Sequence, residues 1–431
     1  MEKVYAHSYC NISATAAVDS SYGLFNQRDT KYKWVENITL NVKDLGGGNG
    51  ATQERVVCAI LDLYFWEKYV DNSPVNRRSW VYQERLLAPR VLHWCQDQIA
   101  FECREVSRAE CRPEGLPHFR IKSGVLIDGV RLKSLDLDAG KQLHAVREAS
   151  MRGKSITSKA IQKMVGRIDP KLHLYELWKH WVEVYTKMEL TNGRDRLIAL
   201  SGIARMMSSR MKEERCEDQY IAGMWQKHMA SQLLWFVNEG TGNDRQPFED
   251  TRPKEYRAPS FSWASVETAR GINFAETKDL KYLKNRNDVK DNGLLVRIEV
   301  VRLSYRTEED KFGLLTDGWR LVQEGCPVGK DYQIVYLDSP ASEPSIFGPD
   351  GQVYCLPALK EDRYLTCMLL QATDGEYGMR YKRIGLTKVS ALTPDLIHSL
   401  TTPPGHNETA LGQYYWGPDS RMEGESTICI V

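Results

Sequence analysis

The strongest structural signal in this sequence lies in Arg78–Arg90, which reads RSWVYQERLLAPR. Ser79 is a favoured helix N-cap residue and Pro89 cannot continue a helix, so the segment predicts a short helix over Ser79–Ala88. The residues that follow, Arg90–Cys103 (RVLHWCQDQIAFEC), predict two short strands around a turn. A helix that leads directly into paired strands indicates an α+β or α/β fold.

The hydrophobic pattern divides the chain into three predicted domains. Residues 1–120 mix short apolar runs with loops and predict the core to which this helix belongs. Residues 121–290 predict a mainly helical region, and residues 291–431 predict a β-rich C-terminal unit. The alternation that indicates strands in this last part lies in Leu294–Tyr305, Gln333–Leu337, Tyr364–Ala372 and Tyr381–Val389.

Helical spacing is clearest between Leu172 and Tyr185, where apolar side chains recur every three or four residues. Such a stripe is typical of a buried core. Two more helices are predicted, over 195–211 and near 224–236. Further on, Ser260–Val266 reads SFSWASV, and alternation predicts a strand with Phe261 and Trp263 on one buried face.

Charge and composition exclude several classes of protein. The 431 residues carry 58 Lys plus Arg against 57 Asp plus Glu, a net charge of +1. This balance disfavours a nucleic-acid partner, because phosphate binding normally requires an excess of basic residues. Apolar runs are too short for a membrane span, and Met1–Cys10 has no apolar signal core. We therefore expect a cytoplasmic protein.

The cysteines do not form a pattern that predicts a metal site. Ten are scattered along the chain without a CxxC pair. Cys95, Cys103 and Cys111 are evenly spaced, but zinc ligands on a knuckle normally lie two to four residues apart. The sequence therefore predicts free thiols and no metal.

Several segments together resemble the fungal heterokaryon-incompatibility (HET) family. Arg78–Arg90 resembles the family's R-x-W-x-x-Q-E-R-L-L-x-x-R block. Other landmarks follow in family order: VYA at 4–6, ISATAA at 12–17, DRLIALSG at 195–202, YIAGMW at 220–225 and APSFSWASV at 258–266. The resemblance implies self/non-self recognition and programmed cell-death signalling in a fungus. It also implies a protein partner, and self-association is possible.

Two family motifs are absent from the sequence, namely S-Y-x-W-G and W-x-D-x-x-C-I-D-Q. Family members carry both motifs ahead of the position that corresponds to Met1. The chain is therefore expected to hold only the later portion of a HET core, as a truncated gene model or a natural short form. A core sheet without its first strand is expected to expose apolar surface and to associate.

The resemblance also implies a chemistry, because the HET fold is thought to be related to TIR domains. Some TIR domains cleave the nicotinamide–ribose bond of NAD with a glutamate four residues after a tryptophan. Trp80 and Glu84 have this spacing. A carboxylate can stabilise the oxocarbenium-like cation that forms at the ribose. Glu84 is thus a candidate catalytic residue of a TIR-like core, and Trp80, Arg78 and Gln83 are candidate NAD-binding residues.

Other interpretations of the same residues stay open. Glu84 can instead pair with Arg77, Arg78 or Arg90 and hold the helix against the sheet, because an unpaired buried carboxylate is costly. His93, within a strand pattern, is typical of a structural histidine. NAD is the only small molecule that the sequence suggests, as a substrate. An inactive fragment with an incomplete site is the third possibility.

Overall fold

The structure is a computed structural model. It describes residues 2–25, 27–28, 37–43, 53–59, 62, 64–116, 119–122, 125–128, 130–151, 169–238, 252–275, 277, 299–301, 321–323, 326–328, 333–339, 353–360, 364–373, 380–390 and 429–430. The chain forms two compact units. Unit 1 comprises Met1–Pro170, Met188–Leu190 and Ala199–Met206, and unit 2 comprises Lys171–Lys187, Thr191–Ile198 and Met207–Val431. The division into three domains stays a prediction.

The described helices are short. The α-helices are α1 (Glu2–Ala6), α2 (Ser79–Leu87), α3 (Leu137–Met151), α4 (His173–Tyr185), α5 (Ser201–Glu213) and α6 (Met229–Gln232). A π-helical turn covers Glu67–Asp71, and 3₁₀ turns cover Val75–Arg77, Pro170–Leu172, Gly193–Asp195 and Trp263–Ser265.

Strands occur in both units, so the fold mixes α and β structure. In unit 1 they are β1 (Asn11–Ser13), β2 (Asn37–Lys43), β3 (Gln53–Ala59), β4 (Arg90–Trp94), β5 (Ile99–Cys103), β6 (Ser107–Ala109), β7 (Phe119–Lys122) and β8 (Val125–Asp128). In unit 2 they are β9 (Tyr220–Ile221), β10 (Met224–Trp225), β11 (Phe236–Val237), β12 (Ile272–Asn273), β13 (Glu299–Val301), β14 (Leu321–Gln323), β15 (Cys326–Val328), β16 (Gln333–Leu337), β17 (Val353–Lys360), β18 (Tyr364–Thr373), β19 (Arg380–Ser390) and β20 (Cys429–Ile430).

The four-stranded sheet of unit 1 has the order β1-β4-β5-β6. β1 and β4 are parallel, with Ser13 opposite His93, whereas β4–β5 and β5–β6 are antiparallel. Parallel neighbours require a crossover connection, and here the chain passes through α2 immediately before it enters β4. Val91 and His93 lie on the buried face of β4 because successive side chains of a strand alternate between faces.

Unit 2 is organised around α4. The predicted apolar stripe is buried at Tyr175, Leu177, Trp178, Trp181, Val182 and Tyr185, whereas Leu172, just before the helix, is half-buried. The same helix binds the backbone of Ala275 and Thr277 through polar side chains. Glu176 accepts from the Thr277 N–H at 2.8 Å, and Lys179 donates to the Ala275 carbonyl at 2.7 Å. The helix thereby satisfies backbone groups that have no strand partner there.

The larger sheet of unit 2 has the order β13-β17-β18-β19-β16, and β20 pairs in parallel with β19. Four of its strands agree with predicted strands, namely β13, β16, β18 and β19; of the predicted strand Leu294–Tyr305, only 299–301 lie among the described residues. The helix predicted near 224–236 is wrong. That segment contains β10, the four-residue α6 and the start of β11. Apolar spacing there reflects buried Met224, Trp225 and Leu234 rather than a continuous helix face.

The prediction for Ser260–Val266 is correct for the burial of Trp263 and wrong in secondary structure, and Phe261 is only half-buried. Trp263 is fully buried, but it lies in the 3₁₀ turn Trp263–Ser265 rather than in a strand. The cause is local, because the Ser262 side chain accepts a hydrogen bond from the Ala264 N–H at 3.1 Å. Serine side chains compete in this way with extended structure.

Candidate functional site

Helix α2 is positioned by contacts at both of its ends. Ser79 is its first residue rather than its cap, and Arg78 takes the N-cap position in an extended conformation without a side-chain cap. The predicted capping role of Ser79 is therefore wrong. Its N–H instead donates to the Glu189 carbonyl at 2.9 Å. At the other end the Ala88 N–H donates to the Glu84 carbonyl, and Pro89 prevents continuation.

Glu84 is half-buried on α2, and its hydrogen-bond partner is a tyrosine. The Tyr5 hydroxyl donates to Glu84 Oε2 at 2.5 Å. Burial, followed by the hydrogen bond and charge of Glu84, raises the pKa of Tyr5 to about 12. Within the described part of the chain, none of the three arginines forms an ion pair with Glu84, so that alternative is wrong. Arg90 instead lies over the Tyr9 ring, 4.8 Å from its centroid.

The other candidate residues have different surroundings. Trp80 is half-buried one turn before Glu84, and Arg78 is exposed. Gln83 is buried against the start of α5, where a Cβ added to Gly202 would lie 2.7 Å from Gln83 Oε1. Gly202 therefore permits the close approach of the two helices. A role of these three side chains in NAD binding stays a prediction.

A buried ion-pair network contacts α2, and no local sequence pattern predicts it. Arg85 donates from Nε to Glu102 Oε1 at 2.6 Å and from Nη2 to Glu102 Oε2 at 2.9 Å. Arg85 Nη1 lies 2.9 Å from Asp71 Oδ1. Burial acts to raise the pKa of Glu102, but the charge and hydrogen bonds of Arg85 hold it well below its usual range. This two-point contact fixes α2 on β5.

His93 joins this network from β4. Its Nδ1 lies 3.0 Å from Thr15 Oγ1, and its Nε2 lies 3.2 Å from Glu102 Oε1. Burial lowers the pKa of His93, so the imidazole is neutral at physiological pH. Thr15, His93 and Glu102 contact one another in the order hydroxyl, imidazole and carboxylate, which is also the order in a hydrolase triad. Thr15, however, is fully buried and cannot reach a substrate. The arrangement supports a structural histidine.

Lys133 binds the C-terminal end of α2. Its buried Nζ donates to the carbonyl oxygens of Arg85 and Ala88. A cation at a helix C-terminus interacts favourably with carbonyls that have no partner within the helix. Burial nevertheless dominates and lowers the pKa of Lys133 to about 8.

This pKa predicts a pH dependence of stability. The pKa of a lysine in the unfolded chain is about 10.4. Between about pH 8 and 10 the unfolded state therefore binds more protons than the folded state, and the free energy of unfolding gains a contribution that rises with pH. We expect the free energy of unfolding, measured by chemical denaturation between about pH 8 and 10, to rise more steeply with pH in the wild type than in Lys133→Met. Lys212→Met, at an exposed position, should keep the wild-type dependence. If the free energy of unfolding changes equally with pH in the wild type and in Lys133→Met, the lowered pKa of Lys133 is contradicted.

Comparison with known proteins gives one match. The family model of heterokaryon incompatibility protein (HET) matches residues 1–84. No curated protein and no solved structure matches the chain. The matched segment contains α1, β1 and α2 as far as Glu84. It confirms, for these residues, the resemblance to the HET family seen in the sequence.

Two further properties bear on what the chain can bind. Within the described ranges, no group of three His, Cys, Asp or Glu side chains is arranged to hold a metal ion. None of the described helices combines the length and the apolar composition that a membrane span requires.

Proposed function

We propose that this chain is a heterokaryon-incompatibility-type protein that acts in self/non-self recognition and cell-death signalling in a fungus. The HET match over residues 1–84 carries this proposal. The structure of unit 1 supports it, because α2 is held in place by two contacts. Arg85 binds Glu102 on β5, and Lys133 binds the carbonyl groups at the C-terminal end of the helix. Arg77 and Arg78 are exposed just before this fixed helix, where they are available to contact another protein. The partner is another protein of the incompatibility system, and the site of action is the cytoplasm.

A second candidate function is hydrolysis of NAD in a TIR-like core. The observation that favours it is the carboxylate of Glu84, which is half-buried and oriented by Tyr5 through Oε2. Among the described residues, Glu84 Oε1 has no hydrogen-bond partner. In this reaction the C1′–nitrogen bond breaks, nicotinamide leaves, and water adds at C1′ to give ADP-ribose and a proton. The Glu84 carboxylate would face the cation at C1′, where its charge is most effective.

The variant Glu84→Gln separates the two candidates. The amide has nearly the same shape but cannot offset a cation. If the chain acts by recognition alone, induced expression in a filamentous fungus reduces viability for the wild type and Glu84→Gln alike. If it acts by NAD cleavage, Glu84→Gln loses the effect on viability, and turnover of NAD by the purified protein falls about 10²–10³-fold.

A matched control is Glu114→Gln in the same unit, since the Glu114 side chain is 60% exposed and pairs with Arg112, two residues earlier in the chain. This control should behave as the wild type in both assays. Folded, soluble wild-type protein that leaves viability unchanged in strains of differing incompatibility genotype would contradict the recognition proposal. NAD turnover that is the same for wild type and Glu84→Gln would contradict the catalytic role.

A further inference from the structure

Arg196 is a buried arginine that forms no ion pair in the described structure. The residue is 8% exposed and follows the 3₁₀ turn Gly193–Asp195 in unit 2. Its Nε is buried without a hydrogen-bond partner, and among the described residues its guanidinium forms no ion pair. The backbone at this position is fixed, because the Tyr185 hydroxyl donates to the Arg196 carbonyl at 2.6 Å.

A second buried guanidinium, that of Arg257, lies close by. Arg257 Nη1 donates to the Gly193 carbonyl at 3.0 Å, and the Arg196 N–H donates to the same carbonyl at 3.3 Å. Arg257 is fully engaged, since it also donates to the carbonyls of Ala264 and Val266 and pairs with Glu267 at 2.7 Å. It therefore adds a positive charge near Arg196 without offering it a partner.

The charges of this cluster do not balance. Two guanidinium groups, those of Arg196 and Arg257, face one carboxylate, that of Glu267, whose side chain is 45% exposed. Burial, and then the charge of Arg257, lowers the pKa of Arg196. Tyr185 and Glu267 act in the opposite direction but do not offset these two effects. A buried charge normally persists in a folded protein only where a partner of opposite charge compensates it.

We infer that the guanidinium of Arg196 binds an oxyanion, the carboxylate or phosphate group of a ligand or partner molecule. The planar fork of arginine matches either group through two parallel hydrogen bonds. A bound anion would balance the charges of Arg196, Arg257 and Glu267. This site lies in unit 2, and it is independent of Glu84 and of the proposed recognition function.

The inference is tested by thermal unfolding and calorimetry of the whole chain with inorganic phosphate and with acetate, each against chloride at matched ionic strength. We expect a saturable rise in the melting temperature of the wild type with at least one of the two anions. Comparison of the phosphate and acetate titrations shows which of the two groups the site binds. Arg196→Met should lose this rise. In chloride alone it should melt at or above the wild-type temperature, because it removes an uncompensated buried charge.

Arg194→Gln is the matched control, since the side chain of Arg194 is 71% exposed and pairs with Glu255 at the surface. It should keep the wild-type response to both anions. A saturable rise that is equal in wild type and Arg196→Met would overturn the inference. Wild-type calorimetry without heat of binding for either anion would overturn it as well, and this measurement does not depend on how the variants fold.

Discussion

Replacement of Trp263 by alanine is expected to lower the free energy of unfolding by about 3–5 kcal/mol. The indole is fully buried, and its Nε1 donates to the Gly223 carbonyl at 3.0 Å. The same carbonyl accepts from Trp178 Nε1 at 3.0 Å, and the Tyr185 ring packs edge-on against Trp263. Alanine would leave a large cavity in this aromatic cluster and remove one of its two anchors on Gly223. Chemical denaturation of the purified variant measures the loss.

The control for Trp263 is Tyr256→Ala, because Tyr256 is 82% exposed and its removal leaves no cavity. Gly223→Ala provides an independent test of the same packing. Gly223 has φ +96°, and an added Cβ would lie 2.6 Å from Trp263 Nε1, so this variant should also be destabilised. If Trp263→Ala unfolds like the wild type and selectively loses a binding partner, Trp263 belongs to an interface and the packing argument fails.

Burial of Trp263 was predictable because a tryptophan within an apolar pattern rarely remains on the surface. Its local conformation was not, since Ser262 redirects the backbone through a hydrogen bond to its own neighbour. For α2, β4 and β5 the local signals agree with one another, and the structure follows them. Short segments with a proline breaker and clear alternation are therefore predicted well from sequence, although the capping role expected of Ser79 was wrong.

The network around α2 shows what local patterns cannot reveal. Arg85 and Glu102 are 17 residues apart, and Lys133 lies 48 residues from the Arg85 carbonyl that it binds. Each is an ordinary charged residue by composition, and only the tertiary fold brings them together. The Trp80–Glu84 spacing was visible in the sequence, whereas the contact between Tyr5 and Glu84 spans 79 residues and was not. A single sequence thus identifies candidate residues more readily than their partners.

Replacement of Asp338 by asparagine is expected to destabilise unit 2 by about 3–5 kcal/mol, because it leaves buried positive charge without compensation. Asp338 Oδ1 accepts from Arg383, and Oδ2 accepts from Arg252 at 2.8 Å. Arg383 is fully buried, and its guanidinium lies 3.6 Å from the centroid of the Trp235 ring. Burial lowers the pKa of Arg383 to about 10 although Asp338 opposes the shift. Loss of the carboxylate would remove the buried counter-ion that favours the charged form of Arg383.

The double variant Asp338→Asn with Arg383→Met tests whether uncompensated charge causes this loss. Methionine removes the buried guanidinium while it fills part of its volume, so the double variant should recover stability relative to Asp338→Asn alone. Glu255→Gln is the control, since its surface pair with Arg194 should contribute only about 0–1 kcal/mol. If Asp338→Asn proves no more destabilising than Glu255→Gln, Asp338 does not compensate the charge of Arg383, and the contacts of Arg383 with Trp235 stabilise it instead. Additive losses in the double variant would show that Asp338 and Arg383 act through separate contacts.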